Sequence, residues 1–168
     1  MARIGIFFGS STGNTEAVAA KIHEALGGNA DAPKSIADAT ADELAGYDYL
    51  ILGTSTWGAG DLQDDWDDAL SMLESTELSG KKVAVFGLGD QEGYPDTFVD
   101  GIGIIADVAA AQGADIVGSV PTDGYDFDDS KAVKDGKFIG LPLDDDTQES
   151  LTDQRIAGWV SQINEAFA

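Results

Sequence analysis

The sequence contains no cysteine, and that absence excludes several classes of protein. Without thiols the chain can form neither disulfide bonds nor thiolate metal sites, and an iron–sulfur electron carrier is ruled out. Its single histidine, His23, has no partner in the pattern to orient it for catalysis. Long hydrophobic runs are missing as well, and no stretch approaches the roughly 20 apolar residues of a membrane span. We therefore expect no membrane association, no secretion and a cytoplasmic location.

Basic residues are scarce, since nine Lys and Arg oppose 31 Asp and Glu for a net charge of -22. Nucleic acids and anionic membranes carry the same sign of charge and are excluded as partners, whereas basic protein surfaces are favoured. The excess of aspartate and the shortage of lysine also raise the hypothesis of adaptation to high salt. The length of 168 residues predicts one domain over residues 1–168.

The first polar motif lies between an apolar strand, at about residues 2–8, and an amphipathic helix from about Gly13 to Leu26. Short polar side chains and glycine at a helix N-terminus suit an anion, and phosphate is the expected one. A nucleotide-hydrolase lysine and the third glycine of a dinucleotide fingerprint are both missing, so neutral groups would hold the phosphate. An ordinary helix cap is the alternative. The candidate residues are Ser10, Ser11, Thr12, Gly13, Asn14 and Thr15.

Two more polar loops, at residues 54–60 and 87–95, follow apolar strands at 47–53 and 81–87. Strands that alternate with amphipathic helices predict a parallel sheet covered on both faces, with ligands bound beyond the carboxyl ends of the strands. All three polar loops are expected at those ends. Two apolar stripes predict the inner faces of helices: Leu62, Trp66, Ala69, Leu70 and Leu73, and then Ile156, Trp159, Val160, Ile163 and Phe167.

Together the motifs S-S-T-G-N-T (10–15), T-S-T-W-G-A-G (54–60) and G-L-G-D-Q-E-G-Y-P (87–95) resemble the phosphate loop and the two flavin-flanking loops of flavodoxins. The resemblance extends to G-Y-D-F around Tyr125 and to the C-terminal helix. It implies a flavodoxin-like, doubly wound α/β/α sandwich with a five-stranded parallel sheet in the order 2-1-3-4-5. An extra segment at about 119–146 resembles that of long-chain flavodoxins, in which a small three-stranded excursion interrupts the last strand.

This resemblance implies a low-potential, one-electron carrier with non-covalent FMN that shuttles between semiquinone and hydroquinone, and not an enzyme. The implied partners are the basic faces of NADPH-dependent flavodoxin/ferredoxin reductases and of flavodoxin-dependent enzymes, bound transiently by a monomer. An FMN-dependent quinone or nitro reductase is the alternative, although it would need an open ring face. A phosphoacceptor signalling domain would need an acidic cluster after the first strand, and Phe8-Gly9-Ser10 offers none.

The flavin ring is expected between Trp57 and Tyr94, which match the two aromatic positions that sandwich it in flavodoxins. Gly58 matches the peptide that flips on reduction, and glycine permits such a flip without a side-chain penalty. Gly60 belongs to the same loop. A unit negative charge about 12 Å from the ring, at an effective dielectric of about 20, would lower the second reduction potential by roughly 60 mV.

The remaining candidates surround the other parts of the cofactor. Gly89 and Asp90 match the family's contacts to the pyrimidine edge of the ring, and Thr56 and Asp146 match positions near the ribityl chain. For Asp146, a solvated carboxylate is the open alternative. The aspartates between residues 126 and 129 could suggest calcium, but the glycine and the terminal glutamate of a calcium loop are missing, so we expect no metal.

Overall fold

The computed structural model describes residues 4–9, 13–27, 30–57, 61–62, 64–144 and 148–167. Its three central strands are β1 (Ile4–Phe8), β3 (Tyr49–Trp57) and β5 (Lys82–Leu88). Residues 4–8, 50–56 and 83–88 are buried without a break, as in a parallel sheet whose two faces are both covered.

Helices cover the sheet on two sides and create two apolar cores. One core joins Ile6, Ile51 and Phe86 to the helices α1 (Asn14–Leu26) and α5 (Glu149–Phe167). The other joins the opposite sheet face to α3 (Asp64–Glu74) and α4 (Asp100–Ala111). A short helix α2 (Ala41–Ala45) precedes β3 and buries Leu44.

The sheet has the order β2 (Lys34–Ser35), β1, β3, β5, and two short strands share the fifth position. β6 (Asp115–Val117) pairs in parallel with the amino half of β5, and β10 (Leu141–Leu143) pairs in parallel with its carboxyl half. The predicted order 2-1-3-4-5 and the interruption of the last strand are therefore confirmed.

The residues between β6 and β10 form a separate antiparallel sheet of β7 (Val120–Pro121), β9 (Lys137–Phe138) and β8 (Val133–Lys134). This insertion packs against the start of α4 through an aromatic cluster whose contacting ring centroids lie 5.0–6.0 Å apart. Burial raises the pKa of Tyr125 in this cluster to about 12, although the charge of Arg155 opposes the shift. The other rings are those of Phe98, Phe127 and Phe138.

Two boundaries predicted from sequence are wrong. Residues 54–57, predicted as the start of a polar loop, continue strand β3 as far as Trp57. Leu62 does not begin the third helix but lies in a two-residue strand, β4 (Asp61–Leu62), which pairs with the end of β3. In the rest of that stripe, Trp66, Ala69 and Leu73 are buried as predicted, whereas Leu70 is half-buried. The C-terminal stripe is buried throughout. No helix in the described part of the chain combines the length and the hydrophobicity that crossing a membrane requires.

Candidate functional site

The register of the three central strands brings the polar loops to one edge of the sheet. Phe8 pairs with Gly53, and Ser55 pairs with Leu88, so the carboxyl ends of β1, β3 and β5 lie side by side. The backbone N–H of Gly9 also donates to the Gly53 carbonyl at 3.0 Å. Each loop thus begins beside its neighbour, at the place where doubly wound sheets bind ligands.

The helix that follows the first loop begins without a side-chain cap. Its N-cap residue is Gly13, which has a left-handed conformation with φ 88°. No atom of the described residues lies within 4 Å of the position that a Cβ would take on Gly13. Asn14 is exposed and Thr15 is buried, while the candidates Ser10, Ser11 and Thr12 lie outside the described residues. A helix N-terminus that starts at a left-handed glycine suits a phosphate group, because backbone N–H groups point outward from it.

The positive charge of Lys21, about two turns along α1, is directed away from the start of the helix. Lys21 Nζ lies 2.8 Å from Asp153 Oδ1 on α5, so its charge is compensated on the flank of the molecule. This geometry agrees with a phosphate held by neutral groups.

The first flavin-flanking loop lies between two antiparallel strands, β3 and β4. Thr56 pairs with Leu62, and Trp57, which ends β3, pairs with Asp61. Thr56 is buried, and its Oγ1 accepts a hydrogen bond from the Gly101 N–H at 2.8 Å. Gly58 and Gly60 lie outside the described residues.

The second flavin-flanking loop is a tight turn built by Asp90. Its Oδ1 accepts from the backbone N–H of Glu92 at 3.1 Å and of Gly93 at 2.8 Å, and the Tyr94 N–H donates to the Asp90 carbonyl at 2.8 Å. A Cβ on Gly93 would lie 2.5 Å from Asp90 Oδ2, so a side chain there would displace the carboxylate that forms the turn. The turn leaves Tyr94 41% exposed, and among the described residues it is the one large hydrophobic side chain so exposed. An exposed ring on a fixed turn is suited to stacking.

Two residues that the sequence interpretation missed fix this turn to its surroundings. The Gln91 N–H donates to Asp144 Oδ2 at 3.0 Å, and the Gln91 Oε1 accepts from the Asp126 N–H at 2.6 Å. Gly89 N–H donates to the Leu143 carbonyl at 3.0 Å. Gln91 and Asp144 are both buried, and the one sequence signal is that Asp144 directly follows an apolar strand.

The backbone at the aspartates of the insertion has a structural role. The N–H groups of Asp128 and Asp129 both donate to the Pro95 carbonyl, at 2.8 and 2.9 Å, which joins the insertion to the second loop. Across the described ranges, no group of three His, Asp or Glu side chains is placed to hold a metal ion. Asp146, which the sequence interpretation placed near the ribityl chain, lies outside those ranges.

A comparison with known proteins identifies the family. A family model described as Flavodoxin matches residues 6–159. A flavodoxin from Nostoc sp. is 46% identical over 165 residues, which cover 98% of this chain and 97% of that protein. The chain belongs to the flavodoxin family. A Helicobacter pylori flavodoxin is 47% identical over 168 residues, an alignment that covers all of this chain and all of that protein.

Solved flavodoxin structures have the same fold. A Fusobacterium nucleatum flavodoxin bound to flavin mononucleotide superposes with a TM-score of 0.93 at 32% identity, over 99% of each chain. Flavodoxins carry electrons to redox partner proteins and are not enzymes. The expectation of an electron carrier is therefore confirmed, and the comparisons do not favour the quinone or nitro reductase.

Proposed function

We propose that this flavodoxin binds FMN non-covalently at the edge formed by its three loops and transfers single electrons at low potential. The observation that carries this proposal is the register of β1, β3 and β5, which starts the three loops side by side. The Fusobacterium nucleatum flavodoxin, whose structure contains flavin mononucleotide, supports the choice of cofactor.

The described residues fit such a cofactor. A phosphate group suits a helix N-terminus, and α1 begins at a left-handed glycine, which has no side chain of its own to cap the helix. A flat ring needs aromatic surface, which the exposed Tyr94 supplies. Bound FMN would supply a ring that takes up and releases one electron at a time.

The protein's part is to hold and orient this cofactor. We assign the phosphate to the start of α1, with Ser10, Ser11, Thr12, Gly13, Asn14 and Thr15. The ring is assigned to Trp57 and Tyr94 with the backbone of Gly58 and Gly60, and its polar edge to Gly89 and Asp90. Thr56 and Asp146 are assigned to the ribityl chain.

Electrostatics explain why the potential would be low. Lys21 is paired with Asp153, and the second loop carries the carboxylates of Asp90 and Glu92. Asp96 follows it directly. A negative charge added in this environment is repelled, and the repulsion makes the last electron harder to add. The chain's residues thereby favour delivery of that electron to an acceptor.

The proposed partners are basic faces of NADPH-dependent reductases and of flavodoxin-dependent redox enzymes. A net charge of -22 supports attraction to such faces, which steers encounter and weakens as salt screens it. We propose that these complexes are transient, that the protein is monomeric and that it works in the cytoplasm.

Stepwise anaerobic reduction of the FMN-loaded protein, followed by visible absorption, tests the proposal. We expect two separate one-electron steps, seen as a long-wavelength band that rises and then falls. Bleaching in one step together with NADPH-driven quinone reduction by the protein alone would indicate a reductase instead. Failure to retain FMN would contradict the assignment of all three loops.

Asp90→Asn should make the more negative of the two potentials less negative by about 60 mV or more, because about 60 mV is the size for a unit charge about 12 Å away and Asp90 is assigned closer to the ring. Asparagine keeps a side-chain oxygen for the N–H groups of Glu92 and Gly93, so the turn should persist while its charge is lost. The measurement is a spectroelectrochemical titration at constant ionic strength.

A matched charge removal separates this local effect from a change in net charge. Asp115 lies on β6, next to Lys82 in the strand register, at the amino end of β5. This end is opposite the three loops, so Asp115→Asn should leave the potential unchanged. Asp90→Ala removes the charge and the turn-forming acceptor together and should also weaken FMN binding. An equal shift in the two asparagine variants would contradict a local role for Asp90.

A further inference from the structure

Helix α4 begins on a turn that its own residues do not cap. The N-cap position is Val99, which has φ 48° and ψ 33°, a left-handed conformation that β-branched residues rarely adopt. Its side chain is fully buried and has no atom that could accept a hydrogen bond. The turn is therefore strained and lacks the usual side-chain acceptor for the first N–H groups of the helix.

Thr56 supplies the missing acceptor from a different element. Its Oγ1 accepts from the N–H of Gly101, the second residue of α4, at 2.8 Å, although the two residues are 45 positions apart. The N–H at this second position is one of the two that a Ser or Thr cap ordinarily binds. Thr56 thus has the function of an N-cap while it belongs to β3.

This contact joins the two flavin-flanking loops. Thr56 lies in the part of the first loop that continues β3, and it directly precedes Trp57, the last residue of that strand. On the other side, a Cβ on Gly89 would lie 3.1 Å from Val99 Cγ1 and 3.2 Å from Phe98 Cδ1, so the start of the second loop rests on the same turn. The first turn of α4 is therefore in contact with both loops.

We propose that Thr56 is a positioning residue that caps α4 in trans and so fixes the first loop relative to the second. This inference rests on the proposed function, because the spacing that it fixes is that of the two flavin-flanking loops. The Thr56 hydroxyl can cap α4 and also contact the ribityl chain, to which Thr56 is assigned, because it has one proton and two lone pairs. Accepting from Gly101 turns that proton away from the helix and leaves it to be donated to a ligand oxygen.

The test compares Thr56→Val, which is close in shape and cannot cap, with Thr56→Ser, which keeps the hydroxyl. Thr54→Val is the matched control, because Thr54 is buried on the same strand and its hydroxyl bonds to the Ser55 carbonyl rather than to α4. Amide hydrogen exchange of Gly101 is measured by NMR in the full-length, FMN-free chain, with Val85 in β5 as the reference for global unfolding. FMN affinity is measured separately by fluorescence titration.

We expect Gly101 exchange to be roughly tenfold faster in Thr56→Val, relative to Val85, and close to the parent rate in Thr56→Ser and Thr54→Val. FMN affinity should fall in Thr56→Val and be restored by serine. If amide exchange in Thr56→Val became faster by the same factor at Gly101 and Val85, the capping role of Thr56 would be contradicted. The same holds if Gly101 exchange became equally fast in Thr54→Val. A lost cap with unchanged FMN affinity would overturn the positioning role. The exchange result does not depend on FMN, so failure of the proposed function alone would leave it intact.

Discussion

Gly53→Ala should destabilise the protein by about 3 kcal/mol or more, a large part of the stability of an ordinary domain. Gly53 pairs directly with Phe86 across β3 and β5. The Phe86 ring covers the glycine, and a Cβ built on Gly53 would overlap that ring and lie only 2.5 Å from its Cε1. Such covering of a strand glycine by an aromatic ring stabilises sheets. Because Phe86 is fully buried and packs edge-on against Trp159, it has no space to move away.

The damage should reach the site, since the Gly53 carbonyl accepts two hydrogen bonds that organise its surroundings. The Gly9 N–H donates to it at 3.0 Å from the end of β1, and the Trp66 Nε1–H donates to it at 2.6 Å from α3. A shift of the backbone at Gly53 would therefore move the start of the first loop and weaken the anchor of α3 together.

Urea unfolding of the FMN-free chain measures the effect, and a second glycine serves as its control. Gly158 is exposed in the middle of α5, and beyond its own helix backbone and chain neighbours no atom of the described residues lies within 4 Å of its Cβ position. Gly158→Ala should therefore stabilise the protein by about 0.5–1 kcal/mol. Adding Phe86→Leu to Gly53→Ala should recover part of the loss, since a smaller side chain relieves the overlap. Equal unfolding midpoints for Gly53→Ala and the parent would contradict this account.

The sequence alone was enough to predict the sheet and the edge at which the loops meet. The run from Ile4 to Phe8 is apolar at every position, which is typical of a strand buried on both faces. Trp66 and the stripe of the last helix recur at helical spacing, and burial is what that spacing predicts. Parallel strands place their carboxyl ends at one edge, so three polar loops after three such strands had to meet.

The contacts that hold the loops in place were not predictable, because they join residues far apart in sequence. In the run Asp144-Asp145-Asp146, the one signal is the apolar strand before Asp144, and it does not reveal that this carboxylate is buried and accepts from Gln91. Thr56 and Gly101 meet only because α4 returns across the end of β3. The spacing of Leu62 fits the apolar stripe of a helix, yet the residue lies in a short strand because it pairs with Thr56 of β3.

Asp100 illustrates the same point through its charge. An aspartate at the start of a helix is ordinarily solvated, but Asp100 is buried and its Oδ1 accepts from the Lys131 N–H of the insertion at 2.7 Å. Burial raises the pKa of its carboxyl above the ordinary value, against the hydrogen bond and charge of Lys131, which lower it. Only the packing of the insertion on α4 creates this environment.

Raising KCl from 0.1 M to 1 M should increase the thermal midpoint of the FMN-free chain by about 4–8 °C, which corresponds to about 2 kcal/mol for a chain of this size. The net charge is -22, and α3 carries Asp64, Asp65, Asp67 and Asp68 without a lysine or arginine. Two like charges about 8 Å apart in water repel by roughly 0.5 kcal/mol before screening. About ten such pairs would repel by roughly 5 kcal/mol before screening. The Debye length falls from about 10 Å to about 3 Å over this range, which removes most of the repulsion that remains at low salt.

Two single charge removals test whether repulsion is the cause. Asp67 is exposed on α3 among like charges, so Asp67→Asn should raise the midpoint at 0.1 M KCl. Asp153 is also exposed but pairs with Lys21 at 2.8 Å, so Asp153→Asn should give no such gain. Both differences should shrink at 1 M KCl, because salt screens attraction and repulsion alike. A midpoint that does not rise with KCl, or that rises equally in both variants at low salt, would contradict adaptation of this acidic surface to salt.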